Sequence, residues 1–170
     1  DWTLDMAGRR LARGSLPRPR LQLEAIRCRR ACWPLFARHH YLSGRLAHAA
    51  ECYLALLAGE PAAFCAVVGM FGRKGCKRIT RLVTLPVFQG VGIGSRLLET
   101  VCRDQAERGF RTHLTTSHPA MIAACRRSPL WRTRGVKKPG SRGRQECGGR
   151  KFVSSASRCV VSFEWRGEAA

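Results

Sequence analysis

The segment Arg81–Ser95, with the sequence RLVTLPVFQGVGIGS, constrains the fold of this chain more than any other. After Arg81, residues 82–85 are apolar or β-branched and predict a strand, which Pro86 ends because proline cannot donate to a sheet ladder. Glycines at 90, 92 and 94 then lead into a helical pattern. Free N–H groups at a helix start attract anions, and glycines let an anion approach closely. The segment therefore predicts a strand, a phosphate-binding loop and a helix.

Two nucleotide-binding loops do not fit the glycine spacing. A Walker loop would continue with Gly-Lys-Ser or Gly-Lys-Thr, which is missing here. The dinucleotide fingerprint needs glycines at relative positions 1, 3 and 6, but counting from Gly90 gives Gly92 and then Ser95. No acidic residue between Glu107 and Glu146 is available for a ribose. A tight connection without a ligand remains the alternative, although alternating glycines cost stability that a plain turn would not require.

The remaining sequence alternates between strand and helix patterns. Strands are predicted at residues 21–28, 51–57, 62–70, 78–85, 112–116 and 158–163. Helices are predicted from Trp33, from Ser95 to a C-terminal cap at Gly109, and over residues 119–127. A four-residue turn, residues 58–61, joins two strands in a hairpin. These elements predict an α/β fold, a mixed and mostly antiparallel central sheet with helices on both faces, in one domain over residues 21–166.

Charge and composition limit the partners and the cellular compartment that are expected for this chain. The chain has 170 residues, 31 Lys and Arg against 11 Asp and Glu, and a net charge of +20, which favours an anionic partner such as nucleic acid. We interpret residues 1–20 as a basic linker or arm, and residues 132–151, with eight basic residues and one acid, as a mobile basic loop. Nine cysteines, an odd number, favour reduced thiols. The sequence has no long apolar run and no signal-peptide pattern, so no membrane association and a cytoplasmic location are expected.

The pattern Gln89-x-x-Gly92-x-Gly94 between a strand and an amphipathic helix resembles motif A of the GCN5-related N-acetyltransferase (GNAT) superfamily. The resemblance implies the acyl-CoA N-acyltransferase fold, acetyl-CoA (coenzyme A) as the cofactor, and a homodimer as one possible assembly. The cofactor-binding residues that it implies are Leu82, Val83 and Thr84 along the pantetheine arm, Gln89, Gly90, Val91, Gly92, Ile93, Gly94, Ser95 and Arg96 around the pyrophosphate, and Ser117 nearby. It also implies an oxyanion donor, the backbone N–H of Val83 or Leu85.

Catalysis in this family proceeds by direct attack of an amine on the thioester in a ternary complex, so a base and an acid are needed. The predicted strands 78–85 and 111–117 contain no carboxylate, and the usual tyrosine acid would fall near Ala124. We therefore expect His118 as the base, with His40, or its neighbour His39, as a further candidate. Tyr41 is the candidate acid. Two adjacent histidines on a helix point about 100° apart, so only one of that pair is expected to face the site. No metal site is expected.

Two further segments resemble the GNAT-like domain attached to certain predicted ABC-type ATPases. They are Trp33–Leu42, with the sequence WPLFARHHYL, and Thr116–Ala120, with the sequence TSHPA. The chain itself contains no ATPase motif. Two functions from different classes remain open: an acetyl-CoA-dependent N-acetyltransferase with an unknown amine acceptor, and a basic nucleic-acid-binding module on a catalytically degenerate GNAT-like scaffold. In the second case the basic arm and loop would contact the phosphates.

Overall fold

The computed structural model describes residues 2–5, 10–13, 21–40, 45–138, 146–147, 150–151 and 159–167. The strands are β1 (Trp2–Asp5), β2 (Arg10–Arg13), β3 (Leu23–Cys28), β4 (Glu51–Leu57), β5 (Glu60–Gly69), β6 (Cys76–Thr84), β7 (Arg111–Thr116), β8 (Trp131–Lys137), β9 (Glu146–Cys147), β10 (Arg150–Lys151) and β11 (Val160–Trp165). The helices are α1 (Trp33–Ala37), α2 (Ile93–Glu107) and α3 (Pro119–Arg127), with 3-10 turns at Arg30–Cys32 and Pro86–Phe88.

Seven strands form one mixed sheet in the order β3-β4-β5-β6-β7-β11-β8. Within this sheet β6 and β7 pair in parallel, and every other neighbouring pair of described strands is antiparallel. A parallel pair needs a crossover connection, and α2 provides it between β6 and β7. The predicted fold class, a mostly antiparallel mixed sheet with helices on its two faces, is confirmed.

Helices cover both faces of the sheet because β4 and β5 are apolar on both sides. Tyr53 and Cys65 point to the core beneath α2, whereas Leu54 and Phe64 point to the core beneath α1. On the α1 side the rings of Phe36 and Phe64 stack with 5.5 Å between their centroids. Continuous apolar runs, rather than alternating ones, are what a sheet buried on both faces requires.

Helix α2 is the longest helix among the described residues and crosses the centre of the sheet. Its buried side, Leu97, Leu98, Val101 and Cys102, follows the predicted helical spacing. The helix begins at Ile93, two residues before the predicted start. Gly109 follows its end with φ +80°, and its N–H donates to Ala106 O at 2.9 Å. The predicted glycine cap is therefore confirmed.

A polar cluster joins α2 to β4 at the C-terminal end of the helix. The Tyr53 hydroxyl donates to Asp104 Oδ2 at 2.6 Å and accepts from Gln105 Nε2 at 2.7 Å. Glu51 accepts from Lys77 Nζ at 2.5 Å and from Arg108 at 2.6 Å. Burial raises the pKa of the Glu51 carboxyl, but these two cations and Gln105 outweigh burial and hold its pKa at about 2.

The prediction of a mobile basic loop over residues 132–151 is wrong in its first part, which is strand β8. Residues 131–137 form an edge strand that pairs with β11, and Trp131 packs edge-on against Trp165 with 5.1 Å between ring centroids. Trp131 is the one fully buried side chain of β8, so the strand has no alternating apolar pattern in the sequence. Further along, β9 and β10 pair with each other. Residues 139–145 of the predicted loop lie outside the described residues.

Two other predictions need correction. The β4–β5 hairpin turn has two residues, not four: Ala58 (φ +51°) and Gly59 (φ +82°) lie in the left-handed region that such tight hairpins require. Within the predicted arm, residues 1–20, β1 and β2 pair antiparallel, with Trp2 opposite Arg13. In the described part of the chain, no helix has the length and apolar character needed to span a membrane.

Candidate active site

Strands β6 and β7 separate part-way along their length. Their parallel pairing runs from Cys76 and Arg111 to Ile79 and Leu114, although β6 continues to Thr84. A bulge on β6 lies at this point, because Ala66 of β5 pairs with Arg81 and Val67 pairs with Ile79, which leaves Thr80 as the extra residue. Bulges bend a strand and increase its twist. The bulge therefore lies where the gap between the two strands opens.

The gap between β6 and β7 is part of a cleft of about 610 Å³. One wall is β6, the opposite wall is the end of β7 with α3, and the glycine loop with the start of α2 closes one end. The lining residues are His39, His40, residues 79–84, Phe88, Gln89, Gly90, residues 92–95, residues 114–116, His118, Ala120, Met121, Ala124 and Arg127. A cleft of this size suits a small ligand.

The backbone of β6 presents unpaired groups to this cleft. The Leu85 N–H donates to Ala62 O at 2.9 Å, and Val83 is the register partner of Phe64. In an antiparallel ladder alternate residues bond to the same neighbour, so the N–H groups of Val83 and Leu85 both point to β5. Those two N–H groups cannot be oxyanion donors, and that prediction is wrong. The N–H groups of Leu82 and Thr84 point into the gap instead.

The glycine loop leaves a row of free N–H groups at the start of α2. Gly90 and Gly92 have φ values of +84° and +90°, which other residues adopt only at a cost. The first hydrogen bond within the helix is donated by Arg96 to Gly92 O at 3.0 Å. The N–H groups of residues 93–95 therefore have no partner within the helix, and α2 has no acidic residue in its first turn. The loop end of the cleft is electropositive.

Gly94 and Gln89 hold the loop against β6. A Cβ atom at Gly94 would lie 2.6 Å from Thr84 Oγ1, far inside van der Waals contact, so glycine allows α2 to begin directly over the strand. Gln89 Nε2 donates to Thr84 O at 2.9 Å. This bond occupies a carbonyl that would otherwise face the loop with negative partial charge. Both contacts join the predicted loop to the predicted strand.

Most of the predicted cofactor-binding residues line the cleft. These are Leu82, Val83, Thr84, Gln89, Gly90, Gly92, Ile93, Gly94 and Ser95. Val91, Arg96 and Ser117 are not among the lining residues. Val91 is 59% exposed, and the Arg96 guanidinium lies 3.6 Å from the Glu99 carboxylate. Ser117 is half-buried between two lining residues, Thr116 and His118.

His39 and His40 both line the cleft, contrary to the prediction that only one of them would. Helix α1 ends at Ala37, so the two histidines lie beyond it and the helical angle between neighbours does not apply. His39 Nε2 lies 3.0 Å from Arg38 Nε, and the His40 ring packs edge-on against Trp33 with 5.8 Å between centroids. The candidate acid Tyr41 lies outside the described residues.

His118 lies on the opposite wall, at the N-terminal cap of α3. Its N–H donates to Thr116 Oγ1 at 3.0 Å and its carbonyl accepts from the Ile122 N–H at 3.0 Å. Its side chain makes no capping hydrogen bond and is exposed. The main chain of His118 is therefore held firmly, while its imidazole is available to a ligand in the cleft.

The charge of the cleft is positive. Its described lining residues include Arg81, Arg127 and three histidines but no carboxylate. Arg127 is a lining residue that the sequence analysis missed, although helical spacing places it on one face with Ala120 and Ala124. Arg81 donates to Thr80 O at 2.7 Å and to Arg45 O, and its guanidinium lies over the Trp33 ring. No cluster of His, Cys, Asp or Glu suited to a metal occurs in the described part of the chain.

Family comparison agrees with this geometry. The model of the acetyltransferase (GNAT) family matches residues 18–127, which contain β6, the glycine loop, α2 and β7. The chain belongs to the GNAT family. No curated protein sequence matches this acetyltransferase domain.

Solved structures of other acetyltransferases share the fold. A Bacillus subtilis acetyltransferase in complex with CoA aligns with a TM-score of 0.63 at 14% identity, over 86% of this chain and 98% of its own. The ribosomal-protein-S18-alanine N-acetyltransferase of Escherichia coli gives 0.63 at 14% identity, over 88% and 97%. A GNAT family acetyltransferase from Elizabethkingia anophelis with acetyl-CoA bound gives 0.60 at 12% identity, over 84% and 97%. These likenesses concern the fold.

Proposed function

We propose that this domain transfers the acetyl group of acetyl-CoA to an amine acceptor by direct attack in a ternary complex. The observation that carries the proposal is the gap between β6 and β7, with the glycine loop at one end of it. A thioester on a flexible arm fits between the separated strands, and its pyrophosphate fits at the start of α2. Family membership and the CoA-bound neighbours support the same cosubstrate.

Backbone groups do most of the binding in this proposal. The N–H groups of residues 93–95 and the positive φ of Gly90 and Gly92 make an anion cradle for the pyrophosphate. Arg127, at the last turn of α3, adds a full positive charge at the cleft. The free N–H and C=O groups of Leu82 extend the edge of β6 towards the amide groups of the pantetheine arm.

The reaction requires a neutral amine. Nitrogen attacks the acetyl carbonyl carbon, the C–N bond forms, the C–S bond breaks, and the amine loses a proton while the thiolate gains one. Arg81, Arg127 and the start of α2 make the site positive, which disfavours an ammonium and favours the neutral nucleophile. We assign His118 as the base that accepts the proton from nitrogen. The N–H of Leu82 or Thr84 is the donor to the oxyanion, in place of the N–H groups of Val83 and Leu85.

Ligand binding is tested by thermal unfolding with acetyl-CoA. A ligand at 100 times its dissociation constant stabilises the fold by about 2.7 kcal/mol, so the melting temperature rises by several degrees. Gly92→Glu places a carboxylate in the cradle and abolishes the rise. Gly59→Glu is the matched control, since Gly59 in the β4–β5 turn also has a positive φ (+82°) and a Cβ atom there would have no other atom within 4 Å. A wild-type protein whose melting temperature is unaffected by millimolar acetyl-CoA would sink the proposal.

The base is tested by turnover. His118→Ala is expected to lower kcat at least about tenfold, with the melting shift by acetyl-CoA unchanged, because general base catalysis contributes about a hundredfold or more. His48→Ala is the control, since His48 is exposed and is not a lining residue. Free-thiol release with a panel of amines measures both. Equal kcat in the two variants would remove His118 from the mechanism.

The resemblance to the domain attached to predicted ABC-type ATPases stays a prediction. Trp33 and Phe36, which carry part of the resemblance to the domain attached to predicted ABC-type ATPases, are buried against the sheet. The segment Thr116–Ala120 lies at the cleft. The identity of the amine acceptor, a cytoplasmic location and a homodimer stay predictions as well. The alternative function, a nucleic-acid-binding module on a degenerate scaffold, predicts no thiol release with any amine.

A further inference from the structure

The half of the sheet formed by β6, β7, β11 and β8 has two very different faces. One face packs against α2 and α3, through Ile79, Leu114, Phe163, Trp131 and Trp165. The opposite face carries the alternate side chains of the same strands. Arg78, Arg111, Arg132 and Arg134 on that face are all exposed. This second face is remote from the glycine loop, which lies at the other end of β6.

Strand register places one row of side chains directly across this face. Arg78 of β6 pairs with His113 of β7, His113 pairs with Glu164 of β11, and Glu164 pairs with Arg132 of β8. Residues opposite each other in a sheet share a face, so the four side chains form a continuous line. Three strand spacings of about 4.8 Å make this line about 14 Å long.

More arginines surround the row. Arg111 lies beside it on β7, and its guanidinium donates to Cys76 Sγ. Arg134 pairs with Glu164 at 3.3 Å. Arg73 lies in the β5–β6 turn. We define the arginine face as Arg73, Arg78, Arg111, His113, Arg132, Arg134 and Glu164, which has one carboxylate against five guanidinium groups.

The imidazole of His113 lies among several of these charges. Burial lowers the pKa of the His113 imidazole; Glu164 opposes this, and the charges of Arg73, Arg111 and Arg134 add to it. Three arginines from three different elements therefore act on one imidazole at the centre of the face. Their mutual repulsion is a cost that an anionic partner would relieve.

An exposed aromatic residue lies next to the arginine face. Phe71 is 96% exposed in the β5–β6 turn, two residues before Arg73. The turn is held by the Met70 N–H, which donates to Cys76 O at 2.9 Å, and by the Arg73 N–H, which donates to Met70 O at 3.1 Å. A fully exposed phenyl ring costs solubility and contributes nothing to the core. Its position on an ordered turn beside guanidinium groups suits a planar partner.

We propose that the arginine face binds the phosphate backbone of a single-stranded nucleic acid, with Phe71 stacking on one base. Guanidinium groups match phosphate oxygens in a planar, two-point geometry, and five of them lie on one open surface. A single strand has bases free to stack on an aromatic ring, which the bases of a duplex are not. This surface differs from the arm and loop predicted from the sequence, and binding here does not depend on acetyl transfer.

Charge reversal on the full chain tests the surface. The face variant combines Arg73→Glu, Arg78→Glu and Arg132→Glu, and it leaves unchanged Arg111 and Arg134, whose side chains contact Cys76 and Glu164. The control variant combines Arg29→Glu, Arg103→Glu and Arg126→Glu, which are exposed arginines outside the face, so both variants change the net charge equally. Fluorescence anisotropy with labelled oligouridylate and oligothymidylate of about 12 nucleotides measures binding.

We expect the face variant to bind at least about tenfold more weakly than the control variant. The negative slope of log K against log salt should become shallower by about 2, since each of the three lost single-strand phosphate contacts contributes about 0.7 to its magnitude. Equal losses in the two variants would overturn the inference. If the face variant fails to fold by circular dichroism, Arg78→Ala and Arg132→Ala singly should each lower the slope by about 0.7.

Stacking is tested separately. Phe71→Ala should weaken oligonucleotide binding at least about fivefold without changing the salt slope, whereas Phe71→Tyr should keep wild-type affinity. Two competitors check the class of partner. A hairpin duplex that binds more tightly than the single strands, or a polyglutamate peptide that displaces them at equal charge concentration, would contradict the proposal.

Discussion

Replacing Gly94 by alanine tests whether the glycine loop is packed against β6 as described. The added Cβ atom would lie 2.6 Å from Thr84 Oγ1, where side chains in ordinary contact stay beyond 3.4 Å. Overpacking of this kind costs about 1–3 kcal/mol. Alanine within a helix gains about 1 kcal/mol over glycine. The net expectation for Gly94→Ala is a loss of about 1 kcal/mol in the free energy of unfolding.

A second substitution separates the clash from the helix effect. Thr84→Ala removes the hydroxyl, and the next nearest atom, Thr84 Cβ, is 3.9 Å from the new Cβ, which is ordinary contact. The double variant should therefore recover the helix gain and show a favourable coupling of about 1–2 kcal/mol. Equilibrium urea unfolding measures all four proteins, and Gly135→Ala serves as a control glycine with open space around it.

The same series has a functional readout. If the Cβ is accommodated by a shift of α2 away from β6, rather than by a new χ1 rotamer of Thr84, the N–H groups of residues 93–95 move with the helix. Gly94→Ala should therefore reduce the melting shift produced by acetyl-CoA, and the double variant should restore part of it. A Gly94→Ala protein that is more stable than wild type by the full helix gain of about 1 kcal/mol, with no coupling to Thr84→Ala, would refute the reasoning.

Three further predictions concern the rest of the fold. The pKa of Glu51 is about 2 in the folded protein against an ordinary 4.5, so its stabilising contribution is complete above pH 4.5 and disappears as the pH falls towards 2. Glu51→Gln should therefore flatten this part of the plot of unfolding free energy against pH, measured by urea unfolding. Gly109→Ala should lower the free energy of unfolding by about 1 kcal/mol, because φ at this position is +80°, and Gly109→Asn should cost less. Tyr53→Phe should cost about 1–2 kcal/mol through the lost bonds to Asp104 and Gln105; ultraviolet titration of the wild type should show one tyrosine whose pKa is raised to about 12.

Local pattern was sufficient for the central unit of the fold. The strand, the glycine loop and the amphipathic helix from Arg81 to Gly109 could be predicted because each signal lies within a few residues: a proline, positive-φ glycines and helical spacing. The apolar hairpin of β4 and β5 was predictable for the same reason, although its turn was too long by two residues. Interactions between near neighbours determine such elements.

The direction in which the N–H groups of β6 point could not be predicted without knowing how the strand pairs in the sheet. The N–H groups of Val83 and Leu85 bond to β5, and those of Leu82 and Thr84 face the cleft, because the β6 ladder alternates from one fixed register. A shift of one residue would exchange the two sets, and nothing within β6 itself specifies that register. His39 and His40 likewise share the cleft because α1 is only five residues long.

The glycine-bearing strand-to-helix unit suited to CoA can be recognised without a structure, since contiguous residues carry its signal. Three features depend on contacts across the fold: Trp131–Lys137 is a strand, Arg127 reaches the cleft, and Arg78 and Arg132 lie in one row. These residues are far apart in the chain, and only strand order and register bring them together. An edge strand with one buried side chain has no period to detect, whereas its hydrogen bonds to β11 define it fully.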